Sequence, residues 1–108
     1  MNLKKSLLIA LFSFGVAQSA FAETDREKFD RAYQFTEQQN YSAAFPLFKQ
    51  LAEQGYAQAQ MRLGFSYNEG RIVRRDQSKA KYYYGLACDN SNTNGCKIYA
   101  ELDKQGVR

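Results

Sequence analysis

Displacing this chain by thirty-six residues lays Asn40-Tyr41-Ser42-Ala43-Ala44 over Asp76-Gln77-Ser78-Lys79-Ala80, and the same displacement lays Ala59-Gln60 over Gly95-Cys96. An internal period of that length is the signature of a helical solenoid, in which each helix pair lacks a complete core and buries its apolar face on its neighbours. It therefore predicts an all-α fold, a short right-handed solenoid of helical hairpins. It says nothing about chemistry.

Apolar spacing and breakers divide the chain into five helices. Glu27 to Gln39 carries Phe29, Tyr33 and Phe35 among charges, with Asn40 ending this helix and capping the next. The second runs to about Gln54, with Phe45, Leu47, Phe48, Leu51 and Ala52 apolar, and Gly55 stops it. Pro46 sits far enough inside to remove a helical hydrogen bond and bend the axis. The third, Ala57 to Asn68, places Ala59, Leu63 and Tyr67 along one face and ends at Gly70. Asp76 caps a fourth helix through Cys88, whose Ala80, Tyr83, Tyr84 and Ala87 recur at inward-facing spacing. A fifth, Gly95 to about Gln105, carries Ile98, Tyr99 and Leu102. Two pairs plus one terminal helix are close to the minimum for a stable array, so that last helix is expected to be essential.

The first residues read as an export signal. Lys4 and Lys5 form its positive end, Leu7 to Val16 its apolar stretch and Ala20-Phe21-Ala22 a cleavage site. The apolar stretch is too short for a membrane anchor. Cleavage of residues 1–22 leaves 86 of the 108 residues, a single domain of residues 23–108 with no membrane span and a periplasmic or secreted address. Cys88 and Cys96 are the only cysteines, and an exported chain with two normally pairs them. A metal or redox pair fits poorly, because the spacing is C-x7-C and the chain has no histidine.

Charge is distributed unevenly. Residues 23–61 hold four basic and six acidic side chains, and residues 62–108 hold nine basic and five acidic. Arg71, Arg74 and Arg75 form a basic cluster that suits an acidic protein surface, anionic glycans and lipids, or simple solvation as loop charges. The exported address disfavours nucleic acid.

The run Ala57-x-Ala59-Gln60-x-x-Leu63-Gly64-x-x-Tyr67-x-x-Gly70, then Val73-x-x-Asp76, then Lys79-Ala80-x-x-Tyr83-Tyr84-x-x-Ala87, closely resembles the Sel-1-like repeat, a relative of the tetratricopeptide repeat. The resemblance covers nearly all of Asn40 to Leu102 and implies about two repeats plus a terminal capping helix. Ala59, Gly64 and Ala80 would be small where helices approach closely, and Tyr67, Tyr83 and Tyr84 would fill the space between pairs. Gly70 would end a helix and Asp76 start one. The Cys88-to-Cys96 segment resembles the family's cysteine-rich secreted branch, in which the bridge joins one helix pair to the next. Ile72 stands where the family usually has glycine, Gly85 weakens a helix interior, and Glu27 to Gln39 matches poorly, as a cap would.

Without histidine, the commonest general base and histidine triads are absent, no metal site is expected, and no cofactor pattern is present. Ser78-Lys79-Ala80-Lys81 fits S-x-x-K and Ser66-Tyr67-Asn68 fits S-x-N, which together with family members described as penicillin-interacting supply a minor enzymatic reading. Against it, the third element is missing and these residues sit in the repeat register. The stronger candidate is a protein-binding face of residues off that register. Met61, Arg62, Phe65 and Tyr82, joined by Arg71, Arg74 and Arg75 and by Lys97 on the wall of first helices, mix aromatic and basic character as interface hot spots do. The leading expectation is an exported scaffold or adaptor for another protein. A periplasmic immunity protein that neutralises a toxin is the second, and self-association through the same face also fits.

Overall fold

The computed structural model describes residues 22–108, so the export-signal reading, apart from Ala22, lies outside the described residues. Within them, five helices and no strands follow in order: α1 Asp25–Glu37, α2 Tyr41–Glu53, α3 Ala57–Glu69, α4 Gln77–Asp89 and α5 Thr93–Lys104. Successive helices pack as antiparallel hairpins.

α1 begins earlier than expected because Thr24 and Glu27 form a capping box. The Thr24 hydroxyl accepts from the Glu27 backbone N–H (3.1 Å), and the Glu27 carboxylate accepts from the Thr24 N–H (3.0 Å). The Thr24 N–H, and after it the Thr24 hydroxyl, which donates to the same carboxylate oxygen (2.9 Å), hold the Glu27 carboxyl below its ordinary pKa. Asp76 caps α4 by accepting from Lys79 N–H (3.1 Å). Asn92, rather than Gly95, marks the start of α5, accepting from Gly95 N–H (2.9 Å). Asn40 precedes α2 but makes no cap; its side-chain oxygen accepts from Ser42 Oγ (3.3 Å). α2 runs on through Pro46, which is exposed together with Ser42, so water can reach the Ser42 carbonyl that proline leaves without its helical donor.

One turn recurs at four helix ends. After α1, α2, α4 and α5 the chain enters the left-handed region at Gln39 (φ 59°), Gly55 (φ 88°), Ser91 (φ 71°) and Gly106 (φ 83°). In each, two backbone N–H groups reach back to the last turn, as Gln39 and Asn40 do to the carbonyls of Thr36 and Phe35. Two of the four positions are glycine and two are not. A left-handed non-glycine residue costs about 1–2 kcal/mol, and glycine's extra unfolded-state freedom returns about half of that. Gln39→Gly and Ser91→Gly are therefore each expected to stabilise the fold by about 0.5 kcal/mol, seen as a raised denaturant midpoint with unchanged slope.

The core is two joined clusters, as a solenoid requires. Ala32, Ala44, Phe48, Leu51, Ala52, Ala59 and Leu63 are buried between α1, α2 and α3. Tyr67, Ala80, Tyr84 and Leu102 are buried between α3, α4 and α5. Phe45 and Tyr83 pack against both. The Tyr67 and Tyr83 rings stack at 5.8 Å, with Phe45 edge-on to Tyr67 at 6.5 Å. On α1 the fully buried residue is Ala32, while Tyr33 stays on the surface.

Burial pushes the Tyr84 hydroxyl up to about 12, with Glu69 adding to the rise, and burial raises Tyr83 as well. A raised folded-state pKa means stability is intact below the ordinary tyrosine value of 10 and is lost as pH climbs through the folded value. Between pH 10 and about 12 the thermal midpoint should fall, and Tyr84→Phe should make that fall shallower.

Cys88 and Cys96 form a disulfide between the last turn of α4 and the first turn of α5, with Cα atoms 4.5 Å apart. Beyond α5, the chain end folds back. Lys81 Nζ donates to Asp103 Oδ1 (2.8 Å) and to the Val107 carbonyl (2.9 Å), and lies 5.0 Å from the Tyr99 ring centroid. Val107 packs on the second core cluster.

Candidate functional site

The first helices of the pairs, α1, α3 and α5, share one wall. Arg62 and Phe65 stand on its middle helix and line two grooves, one on either side of them. The broader groove runs between Phe29 of α1, Met61 of α3 and Ile98 of α5. The other, of about 230 Å³, lies between the last turns of α1, the start of α2, α3 and the loop after Gly70.

That loop is positioned by the end of α3. Gly70 adopts φ 68°, the Arg71 N–H donates to the Ser66 carbonyl (3.1 Å), and the Asp76 N–H donates to the Tyr67 carbonyl (2.9 Å). Ile72 is half-buried against the first core cluster, and an apolar side chain in place of the family's glycine thus anchors the loop over the groove. Arg71 is thereby brought to the groove that holds Arg62 and Phe65.

Electrostatically the groove is two-sided. The Arg62 guanidinium lies over the Tyr33 ring, 4.7 Å from its centroid, a cation–π contact between α3 and α1. Among the described residues, neither Arg62 nor Arg71 has a carboxylate within 4.0 Å, although Glu37 lines the same groove. The Ser66 hydroxyl, buried in the floor, donates to the Arg62 carbonyl (2.8 Å).

Of the residues singled out from the sequence, Met61, Arg62, Phe65 and Arg71 lie together on this wall. Met61 is half-buried and also packs on the second core cluster. Tyr82 does not join them. It lines a separate depression with Lys49, Leu86 and Asn90, because its place on α4 turns it toward the second helices of the pairs. Arg75 turns back to α3, its Nε donating to the Asn68 carbonyl (3.0 Å), and so serves the helix end. Arg74 and Lys97 are exposed and line neither groove. The enzymatic reading fares no better. Ser66 is committed to a backbone carbonyl and Lys81 to the chain end, while Ser78 is exposed on the first turn of α4.

Sequence reasoning passed over Tyr33 and Tyr41 as surface groups and Phe29 as a lining one. Phe29 and Tyr33 are four residues apart on a helix that is otherwise mostly polar, which was the available signal. Among the described residues no cluster of acidic and cysteine side chains is arranged to hold a metal, and no helix is long and apolar enough to cross a membrane.

Hairpins of helices stacked around a shared core, with a groove of aromatic and cationic side chains on the first-helix wall, define a helical-repeat scaffold. The Sel1 repeat family matches residues 32–56 and 57–92, more than half of the chain, and the protein belongs to that family. Sel1 repeats generally mediate protein–protein interaction. A protein of Haemophilus influenzae, described as an uncharacterized protein, is 46% identical over 33 residues, which are 31% of this chain and 64% of that protein. The match thus spans just under two thirds of that relative's length. No solved structure matches the chain.

Proposed function

We propose that this protein is an exported scaffold that binds another protein along the wall of α1, α3 and α5. The observation that carries the reading is where the exposed aromatic surface lies. Of five large apolar side chains that remain exposed among the described residues, Tyr33, Tyr41 and Phe65 line the same groove. Phe65 is 41% exposed although it sits mid-helix, where folding alone would favour a polar residue. Clustered exposed aromatics beside arginine are the composition of an interface centre.

Two features support the exported address and the division at Ala22. A disulfide persists in oxidising compartments. Among the described residues, the contacts that start α1 lie after the proposed cleavage point. Glu23 pairs with Arg31 through two bonds (2.7 and 2.9 Å), and Thr24 pairs with Glu27, so cleavage after Ala22 would leave the helix start intact.

The test is capture of envelope and culture-fluid proteins by the exported form, whose mass should correspond to a chain beginning at Glu23. Phe65→Asp should abolish capture of a specific partner while leaving the thermal midpoint within about 3 °C, because an exposed side chain contributes little to the core. Capture that persists with Phe65→Asp would refute the assignment of this wall.

A further inference from the structure

We infer that the groove between α1, α3 and the loop after Gly70 recognises a carboxylate adjacent to an aromatic side chain, presented by an acidic peptide segment of a partner protein. This rests on the scaffold reading and specifies what the scaffold takes.

The charge pattern is the first argument. Arg62 is half-buried, yet no described carboxylate lies within 4.0 Å of its guanidinium, and none of its side-chain N–H groups is hydrogen-bonded to a described residue. The structure pairs other cations, for example Arg31 with Glu23 and Lys81 with Asp103. A guanidinium already held over the Tyr33 ring, 4.7 Å from its centroid, loses less freedom than a free one when a carboxylate docks in its fork. Arg71, on the same groove, supplies a second positive charge from the anchored loop.

The second argument is shape. Tyr33, Tyr41 and Phe65 flank the guanidinium with apolar surface, and a space of about 230 Å³ takes one aromatic side chain with a carboxylate beside it. Third, Glu37 on the same lining disfavours a dense polyanion such as a sulfated glycan or a nucleic acid, since added negative charge would face a carboxylate. A single carboxylate next to an apolar group satisfies all three conditions.

The experiment is a pair of titrations of the isotope-labelled, disulfide-bonded protein, followed by nuclear magnetic resonance. One probe is the capped tetrapeptide acetyl-glycyl-aspartyl-phenylalanyl-glycinamide, and the other is its asparaginyl twin. The aspartyl peptide should shift the signals of Tyr33, Arg62, Phe65 and Arg71 and bind about tenfold more tightly than the twin, as a charge-assisted bidentate pair would make it. Added salt should narrow that difference. Arg62→Gln should bring the aspartyl peptide down to the level of the twin. Arg71→Glu, at an exposed loop position, should do so in a chain that keeps its thermal midpoint, and Tyr82→Ala on the other face should change nothing.

Equal binding of both peptides, shifts that map elsewhere, or no shift at millimolar peptide would overturn the inference. A partner captured through Phe65 together with any of these results would leave the scaffold reading standing and remove this one alone.

Discussion

Replacing Gly95 by alanine should lower stability by about 2 kcal/mol and the thermal midpoint by about 10 °C, even though alanine is the better helix former. A Cβ at this position would stand 2.9 Å from the Tyr84 carbonyl oxygen, 2.9 Å from the Ala87 Cβ and 3.1 Å from the Cys88 nitrogen. Those atoms are backbone or the first side-chain carbon of α4 and have no rotamer to yield with. The helices must separate instead, and the disulfide one residue later limits how far they can. The propensity gain of about 1 kcal/mol is smaller than the packing cost, which decides the sign. Gly85→Ala is the control. Its Cβ would meet only the Tyr99 ring, at 3.1 Å, and Tyr99 is 40% exposed and free to turn away. That variant should be neutral or more stable by up to about 1 kcal/mol. A Gly95→Ala protein as stable as the parent in thermal melts would show that α5 does not lie on the α4 backbone.

Removing the bridge with Cys88→Ala and Cys96→Ala together should cost about 2.5 kcal/mol, the chain entropy regained by a loop this short. In a domain stabilised by about 5–15 kcal/mol this is a large share, and its effect should be concentrated in α5. The internal repeat supplies a sharper version. The thirty-six-residue displacement maps Ala52 and Gln60 onto Cys88 and Cys96. At the first pair, the Gln60 Nε2 donates to the Ala52 carbonyl (3.0 Å), while its Oε1 accepts from Asn90 Nδ2 (3.0 Å). The disulfide therefore stands where the preceding repeat has a buried hydrogen bond. The Ala52 carbonyl accepts from both the Gly55 N–H and Gln60, and the Cys88 carbonyl accepts from the Ser91 N–H, leaving its second lone pair available. Cys88→Ala with Cys96→Gln should accordingly recover about 1 kcal/mol of the loss. Denaturant unfolding of the parent and the two double variants measures both steps. If the glutamine chain is no more stable than the alanine chain, the two staples are not equivalent.

The elements that were legible in the sequence share a reason. Helix existence, the stops at Gly55 and Gly70 and the cap at Asp76 depend on residues within a turn of the place they act, and the repeat tests each against a second copy. Where the copies differ, legibility dropped. Asn40 and Asp76 occupy the same repeat position, yet only Asp76 caps, because the Asn40 side chain bonds Ser42. The start of α1 was misplaced by two residues although its capping box is a local pattern. The candidate site was readable only in part. Met61, Arg62 and Phe65 lie on one helix, and their spacing kept them together. Arg71 joins them because Ile72 anchors the loop, and Tyr82 leaves them because α4 faces the other way.

By itself, the sequence determined the all-α repeat, the boundaries of most helices and the class of scaffold, because periodicity and breakers act locally and were present twice, and it indicated the pairing of its only two cysteines through their number alone. The tertiary structure alone decided which surface side chains meet. It placed Tyr33 of α1 beneath the guanidinium of Arg62 on α3, set Gly95 against the α4 backbone and sent Lys81 to hold the chain end. Each of those contacts joins two elements whose relative rotation is set by how the helices pack, and that rotation depends on all the buried side chains at once.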